Sequence, residues 1–566
     1  MSVVDLASRH QQTLDDALVA IRTRAYFSAY PESPSPRVYG ESAAPEGKAA
    51  YEALLGNDFP LETPGAVGRV ATETSPFGPE LRITYPHVPP TEKALETLLG
   101  TAQKAMPSWR HAGPTGRSAV CLEILNRLHA RSFELANAVM HTSGQAFVMA
   151  FQAAAAHALD RALEAVAYAH EEQTRTPPRT YWEKPAKGEP LRMTKSFHVA
   201  PRGVALVIAC NTFPTWNSFP GLFASLATGN AVVVKPHPRA VLPLAITVQV
   251  VREVLDEYGF DPDLVTLAAE AHDDKLAAKL AVRPEVKIID FTGSSTFGNW
   301  LEENARQAVV YTEKSGVNAV VIDSTDNFAG MCRNLAFSLS LYTGQMCTAP
   351  QNIFVPRQGI ETDEGSKTLA AVGAGIAAAV ESLLGDDARA VEVLGAVANP
   401  GVLERLESAP KKGDVVLASR SITHPSWPDA TVRTPTIIAL DERDTDVYTS
   451  ECFGPVSFLI ATDSTDDSLS LLRSTVREHG AMTASVYSTD DKVLAAAEDA
   501  AIDVGVPLSM NLTAGVYVNQ SAAYSDFHGT GANPAANAAF TDSNFVSGRF
   551  RVVQSRRHSE APRADD

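Results

Sequence analysis

A chain of 566 residues with 45 % hydrophobic and 20 % charged residues carries enough apolar material for two to four packed domains of the ordinary globular kind. Its formal net charge of -18 argues against nucleic acid or anionic membrane as a partner, since nothing would offset phosphate repulsion. The five cysteines (Cys121, Cys210, Cys332, Cys347, Cys452) are scattered, with no CxxC and no Cys/His cluster, which argues against a disulfide framework or a metal site and for reduced thiols in a cytoplasm.

The first residues lack the basic-then-apolar layout of a signal peptide. A helix is predicted over about Leu14 to Arg24, followed by a surface arm from Tyr30 to Pro36, where Pro31, Pro34 and Pro36 stop helix and sheet alike. Helices resume after Pro90 with Glu92 in the first turn. Over Arg117 to Leu128, the apolar positions Val120, Ile124, Leu125 and Leu128 predict one buried face. Residues 149 to 170 are alanine-rich and helical.

A βα alternation then begins. Gly203 to Cys210, Ala231 to Val234, Leu264 to Leu267 and Val286 to Phe291 are apolar runs of buried-strand type, separated by helical segments such as Val241 to Tyr258. Continuous apolar strands divided by helices predict a parallel sheet covered on both faces. After Asn318 the rhythm restarts with Ala319 to Ser324, a helix to about Thr343 and Asn352 to Pro356, so a second α/β domain is expected. A late strand at Phe550 to Gln554 has little local core to join, and pairing with another subunit is expected there. The run Leu369 to Val380 is too short to span a bilayer.

Several segments carry chemistry. Gly373 to Ala378 matches G-x-G-x-x-A but lies inside an alanine-rich helix with no strand before it, so small-residue packing is the better reading. Gly293 and Ser294 follow the fourth strand, at a strand-to-helix junction that suits either a pyrophosphate or a plain N-capped turn. Lys235 ends the second strand, where it either points into the ligand crevice of an α/β sheet or sits in a basic surface turn with His237 and Arg239. Asn211, after the first strand, either offers an amide to an oxyanion or makes a turn. Glu451 and Phe453 precede a Gly-Pro turn, where they either hold ribose and a flat ring or simply bury an aromatic. Cys347 lies 34 residues after Glu313, and a thiol and a carboxylate can divide covalent chemistry between nucleophile and water-activating base.

Taken together and in this order, these segments over roughly residues 100 to 556 resemble the aldehyde dehydrogenase superfamily. Ala29 to Gly40 and Cys121 to Tyr168 further resemble the phenylacetic acid degradation family PaaN. The resemblance implies an α/β fold of two doubly wound parallel-sheet domains plus a small β oligomerisation arm. Residues 1–179 and 200–315 would form an N-terminal extension and dinucleotide-binding domain, 180–199 and 545–556 the arm, and 316–540 the thiol-bearing catalytic domain.

It also implies NAD(P)-dependent oxidation of an aldehyde to an acid through a thiohemiacetal and thioester on Cys347, with Asn211 or Thr212 at the oxyanion and Glu313 as base. Lys235, Gly293, Ser294, Glu451 and Phe453 would bind the cofactor, with no metal. The implied substrate is a ring-opened CoA-linked semialdehyde, and the implied assembly a homodimer or homotetramer. The added hydratase domain of some relatives is not expected, the chain ending at Asp566. The family's Glu three residues after the lysine is here Pro238, with His237 and Arg239 around it, so NADP is expected over NAD. Asn217 mimics the oxyanion motif but stands only 13 residues before Asn230, which favours Asn211. Alternatives are a CoA-acylating dehydrogenase and a non-catalytic aldehyde-binding scaffold, the latter disfavoured because it would need neither Cys347 nor Glu313.

Overall fold

The computed structural model describes residues 2–559. An N-terminal helix, Val3–Thr23, opens with a capping box between Ser2 and Asp5 and lies against the helices Gly113–Ala130 and Ala158–Thr174. It starts earlier than the sequence pattern predicts, with Leu6 and His10 already buried in its first turns. Gly113–Ala130 is buried almost all round rather than on one face, including Arg117, Ser118 and Glu123. Its neighbours lie on several sides, and Arg117 satisfies itself on the carbonyls of Ala227 (3.0 Å) and Arg110 (3.1 Å) and on Gln173. The alanine-rich stretch is not a uniform α-helix: Ala150–His157 widens into a π-helix before Ala158–Thr174 resumes α geometry.

Strands β1 (Arg179–Lys184) and β2 (Leu191–Pro201) form an antiparallel ribbon. They lead into a five-stranded sheet made of β3 (Val204–Ile208), β4 (Ala231–Lys235), β5 (Val265–Leu267), β6 (Val286–Thr292) and β7 (Val309–Glu313). Its order is β5-β4-β3-β6-β7, and every pairing is parallel. The order reverses between β3 and β6, which opens a crevice at the carboxyl ends of the strands. Lys235, Gly293 and Glu313 all lie along that edge.

The second sheet contains β8 (Ala319–Ile322), β9 (Asn352–Pro356), β10 (Asp414–Leu417), β11 (Thr436–Asp441), β12 (Val456–Thr462), β13 (Ala484–Tyr487) and β14 (Leu508–Met510). Its order is β10-β11-β12-β9-β8-β13-β14, with only β10 antiparallel. The predicted pair of parallel-sheet domains is therefore present. The Gly373 to Ala378 segment lies inside the helix Leu369–Leu383, where a Cβ on Gly373 would meet Leu459 at 2.7 Å and one on Gly375 would meet Phe328 at 2.6 Å. Close helix packing is its role.

Two features depart from the predicted organisation. The last strand, β15 (Phe550–His558), pairs along its whole length with β2 of the same chain, from Phe550 opposite Pro201 to His558 opposite Met193. It has a partner at home, some 350 residues earlier in the sequence, and its far edge is exposed. The chain also leaves the second domain before residue 540: Ala523, Tyr524, Ala538, Phe540, Phe545 and Val546 pack into the apolar core of the first. A fully buried Arg549 anchors this return, pairing with Asp290 at 2.5 and 2.8 Å and with Ser225 Oγ at 2.7 Å. Among the described residues no single helix is long and apolar enough to cross a membrane.

Candidate active site

The loop that carries Cys347 follows the helix Phe328–Ser340, whose N-terminus is capped by Asn327. Tyr342 (φ 53°), Thr343 (φ 52°) and Gly344 (φ 61°) then run in succession through left-handed backbone space. The two non-glycine residues cost about 1–3 kcal/mol each, so the surroundings must hold them. The Tyr342 hydroxyl donates to the Ser143 carbonyl, and Thr343 Oγ1 donates to Leu394 O at 2.8 Å. A Cβ on Gly344 would sit 2.4 Å from the Gly454 carbonyl oxygen, so only glycine fits. Asn318 clamps the other end: its amide donates to the carbonyls of Cys347 (2.8 Å) and Ala349 (2.9 Å) and accepts from the amides of Met482 and Thr483. The thiol is thereby held half-buried at the junction of the two domains.

Glu313 ends β7 and is buried beside it. Its Oε2 accepts from Asn217 Nδ2 at 2.9 Å, and its Oε1 lies 3.2 Å from His528 Nε2. That same nitrogen is 3.8 Å from Cys347 Sγ, and the three donor atoms all lie within 4.8 Å of one another. The edge of Trp216 packs on the His528 ring, with centroids 4.6 Å apart. Burial alone would raise the Glu313 carboxyl, but the adjacent His528 and hydrogen bonds from His528, Cys347 and Asn217 hold it below its usual range. The Cys347 thiol moves the other way: burial first, and then the Glu313 charge, push it well above the ordinary thiol value. The resting pair is a protonated thiol beside an ionised carboxylate.

His528 was not singled out in the sequence. It stands in Phe527-His528-Gly529-Thr530-Gly531, a glycine-flanked stretch without periodicity, and a lone histidine is the only signal it offers. The asparagine that the structure brings to the cavity is Asn217, not Asn211, the residue expected at the oxyanion. It occupies the first turn of the helix Pro214–Ala227, lines the cavity above Cys347 and reaches Glu313. Asn211 instead donates to the Thr142 carbonyl at 3.2 Å, the Thr212 carbonyl accepts from Gln145 Nε2 at 2.7 Å, and neither lines the cavity. Asn211 and Thr212 are engaged outside the cavity before Pro214 starts the helix, so the later asparagine is the one that lines the cavity beside Glu313.

The expected cofactor residues fall on the crevice and on a second cleft. Lys235 is buried and ion-paired with Glu270, a carboxylate just beyond β5 that also accepts from Leu276 N at 2.7 Å. The NADP expectation assumed no carboxylate there; one is present, supplied by the neighbouring strand rather than three residues along. Burial and the nearby cations also depress His237 to about 4, leaving it neutral. Ser294 caps the helix Ser295–Asn304, and a Cβ on Gly293 would meet the Phe291 ring at 2.7 Å. Glu451 and Phe453 line a small cleft on the far side of the Cys347 loop, together with Met346. Met346 also lines the larger cavity, so the loop partitions the two. Glu451 is raised by burial and accepts from Gly316 N at 3.5 Å.

The larger cavity has a volume of about 430 Å³. Phe213, Trp216, Phe337, Leu341 and Met346 make its inner wall apolar, and Asn519 contributes to it. Its outer wall includes Tyr26, Phe27, Ser28 and Glu32 from the N-terminal segment. Asp160 holds that segment, accepting from Ala29 N at 2.9 Å and Ser28 Oγ at 2.6 Å, and its burial raises it to about 7. Glu32 pairs with His157 at 2.7 Å.

Comparison with known proteins agrees with this geometry. The aldehyde dehydrogenase family model matches residues 74–524. A solved NAD-dependent aldehyde dehydrogenase from Burkholderia multivorans shares 56 % identity and a TM-score of 0.96, covering 99 % of each chain. The putative aldehyde dehydrogenase FUS7 of Gibberella fujikuroi is 26 % identical over 409 residues, 71 % of this chain and 79 % of its own. A probable mitochondrial methylmalonate-semialdehyde/malonate-semialdehyde dehydrogenase (acylating) of Drosophila pseudoobscura pseudoobscura is 26 % identical over 389 residues, 68 % of this chain and 70 % of its own. With a buried carboxylate set against a thiol between two parallel-sheet domains, and a family match over most of its length, the chain belongs to the aldehyde dehydrogenase family.

Proposed function

We propose that this protein oxidises an aldehyde to a carboxylic acid with NAD, through a thioester on Cys347. The observation that carries the reading is that Cys347, His528 and Asn217 line one cavity and converge on the buried Glu313 behind them. The thiol releases its proton to water in the cavity, and the sulfur adds to the aldehyde carbon to form a thiohemiacetal. The Asn217 amide stabilises the oxyanion. NAD, when bound, supplies the hydride acceptor that turns the thiohemiacetal into a thioester. Glu313 then takes a proton from water, which attacks the thioester and returns the thiol.

The crevice residues fit that cofactor. Gly293 and Ser294 present a helix N-terminus for a pyrophosphate, while Glu451 and Phe453 approach the thiol from the side opposite the substrate cavity. Glu270 beside Lys235 suits a ribose diol and opposes a 2′-phosphate, so NAD is favoured over NADP.

For the substrate, a CoA-linked semialdehyde of phenylacetate breakdown is the reading we carry forward. Its support is that the two stretches resembling PaaN, Ala29 to Gly40 and Cys121 to Tyr168, contain Glu32, Met149, Gln152, His157 and Asp160 of the cavity wall. The relative termed acylating keeps CoA transfer in view as a second reading. Aldehydes of graded length and their CoA thioesters, assayed with NAD and with NADP and with product masses taken with and without free CoA, test all three points. No reduced cofactor with any aldehyde would overturn the activity; an acyl-CoA formed only when CoA is supplied would overturn the hydrolytic step. The exposed edge of β15 supports a homodimer or homotetramer, and five free cysteines support a cytoplasmic location.

A further inference from the structure

The sequence offers no local Cys/His cluster, yet the fold brings a thiol, an imidazole and a carboxylate to one point from positions 313, 347 and 528. We infer that Cys347, Glu313 and His528 form a binding site for a thiophilic divalent cation such as zinc, which holds the enzyme in a reversible inactive state. Binding stands on the donor geometry alone; the inactivation rests on the nucleophilic role proposed for Cys347.

A tetrahedral zinc with bonds of about 2.3 Å to sulfur and 2.0–2.2 Å to nitrogen and oxygen has an S···N edge of about 3.6 Å and an N···O edge of about 3.4 Å. The corresponding distances here are 3.8 Å between Cys347 Sγ and His528 Nε2 and 3.2 Å between His528 Nε2 and Glu313 Oε1. The third edge is no longer than 4.8 Å and closes with a small movement of the half-buried thiol. Outer partners are also in place. Asn217 holds Glu313 Oε2, which leaves Oε1 as the oxygen facing His528 Nε2. The His528 main chain is paired in both directions with Phe540, at 2.9 and 3.0 Å, and Trp216 packs against its ring. The fourth position of the tetrahedron faces the cavity that Cys347, Asn217 and His528 line, where water completes it.

The charge balances. A dication meets one carboxylate and one thiol, the thiol proton leaves to solvent, and the coordinated site is neutral. The sulfur lone pair is then engaged by the metal and cannot add to an aldehyde. One thiolate, one imidazole and one carboxylate favour zinc or cobalt over magnesium or calcium, which prefer oxygen alone.

The test is titration of the full-length, metal-free protein with cobalt(II). One equivalent is expected to give a near-ultraviolet thiolate-to-cobalt charge-transfer band and the intense visible bands of a four-coordinate ion. Cys347→Ala should abolish the charge-transfer band, and His528→Asn and Glu313→Gln should each weaken binding by at least about 10-fold. On the wild-type protein, X-ray absorption of the zinc form should show one sulfur at about 2.3 Å with lighter ligands that include an imidazole. Absence of the band, retention of full affinity by His528→Asn, or a zinc spectrum without sulfur or imidazole overturns the site, and the wild-type spectrum decides if a variant fails to fold. Chelator-reversible loss of aldehyde oxidation is expected alongside. A cobalt site present in a protein that oxidises no aldehyde would refute the proposed function and leave the metal site standing.

Discussion

Replacing Glu313 with glutamine separates the two effects the carboxylate has on Cys347. In the native site the anion opposes formation of the thiolate. Cys347 Sγ and the Glu313 carboxylate lie within 4.8 Å, and two unit charges at that outer distance interact by about 3.5 kcal/mol at an effective dielectric of 20. The thiol is half-buried and solvent screens part of this, so about 1.4 kcal/mol, or one pKa unit, is the expected release. Glutamine keeps the shape and an acceptor oxygen but removes the charge. Near neutral pH, alkylation of Cys347 by iodoacetamide should therefore become about 10-fold faster. Turnover should change in the opposite direction, because loss of a general base costs about 10²–10⁴-fold in thioester hydrolysis. Rapid mixing with an aldehyde and NAD should show a burst of close to one NADH per active site followed by a slow steady state, and the acyl group should be found on the Cys347 peptide by mass. Slower alkylation in the variant would refute the electrostatic argument and make Glu313 the base for the thiol itself. A linear progress curve without a burst would refute the deacylation role.

Asn217→Ala should lower kcat by about 10²–10³-fold through loss of an oxyanion donor, while Asn211→Ala, which faces the Thr142 carbonyl, should keep kcat near wild type; the reverse pattern in steady-state kinetics would restore the sequence-based assignment. Glu270→Gln should shift the ratio of kcat/KM for NADP to that for NAD upward by about 10-fold, since it removes the one carboxylate beside Lys235 and frees the lysine for a phosphate; an unchanged ratio sinks the specificity argument. Asp160 is raised to about 7, so the folded chain holds its proton where the unfolded chain, near 3.8, has lost it. That stability is fully present below about pH 4 and is lost as pH rises through 7, by up to about 4 kcal/mol. Urea midpoints at pH 5 and 8 should thus differ less in Asp160→Asn than in wild type, and an equal difference in both would contradict the assignment.

Much of the fold was legible because each strand carries its own signature. β3, β4, β6 and β8 are short β-branched runs fully or almost fully buried on both faces, and the sequence shows that burial directly. Gly113–Ala130 was harder to read because periodicity reports one packed face, and this helix has neighbours on nearly all sides with a buried arginine among them. Cys347 and Glu313 were legible as a pair because each sits in a distinctive short segment. His528 and Glu270 were not, because they reach the site through space. Glu270 comes beside Lys235 since β4 and β5 run parallel, Val234 opposite Leu267, which aligns the strand ends. His528 arrives on a loop held by Phe540, with nothing in its neighbours to mark it. Asn217 was set aside on a count of residues to Asn230, whereas the direction in which its helix starts decides where the amide points.

The separation of these groups along the chain has a consequence for biosynthesis. Cys347 emerges from the ribosome 181 residues before His528, an interval of roughly 9–36 s at typical rates of synthesis. During that time neither the imidazole nor the loop residue Ala536, whose isolated bridge holds Glu313, exists. The nascent thiol is thus an ordinary one, neither raised by a finished burial nor able to form the three-donor cluster. Catalysis becomes possible only once the segment carrying His528 is added, so the unfinished chain has an ordinary thiol but is unable to trap aldehydes through a completed site.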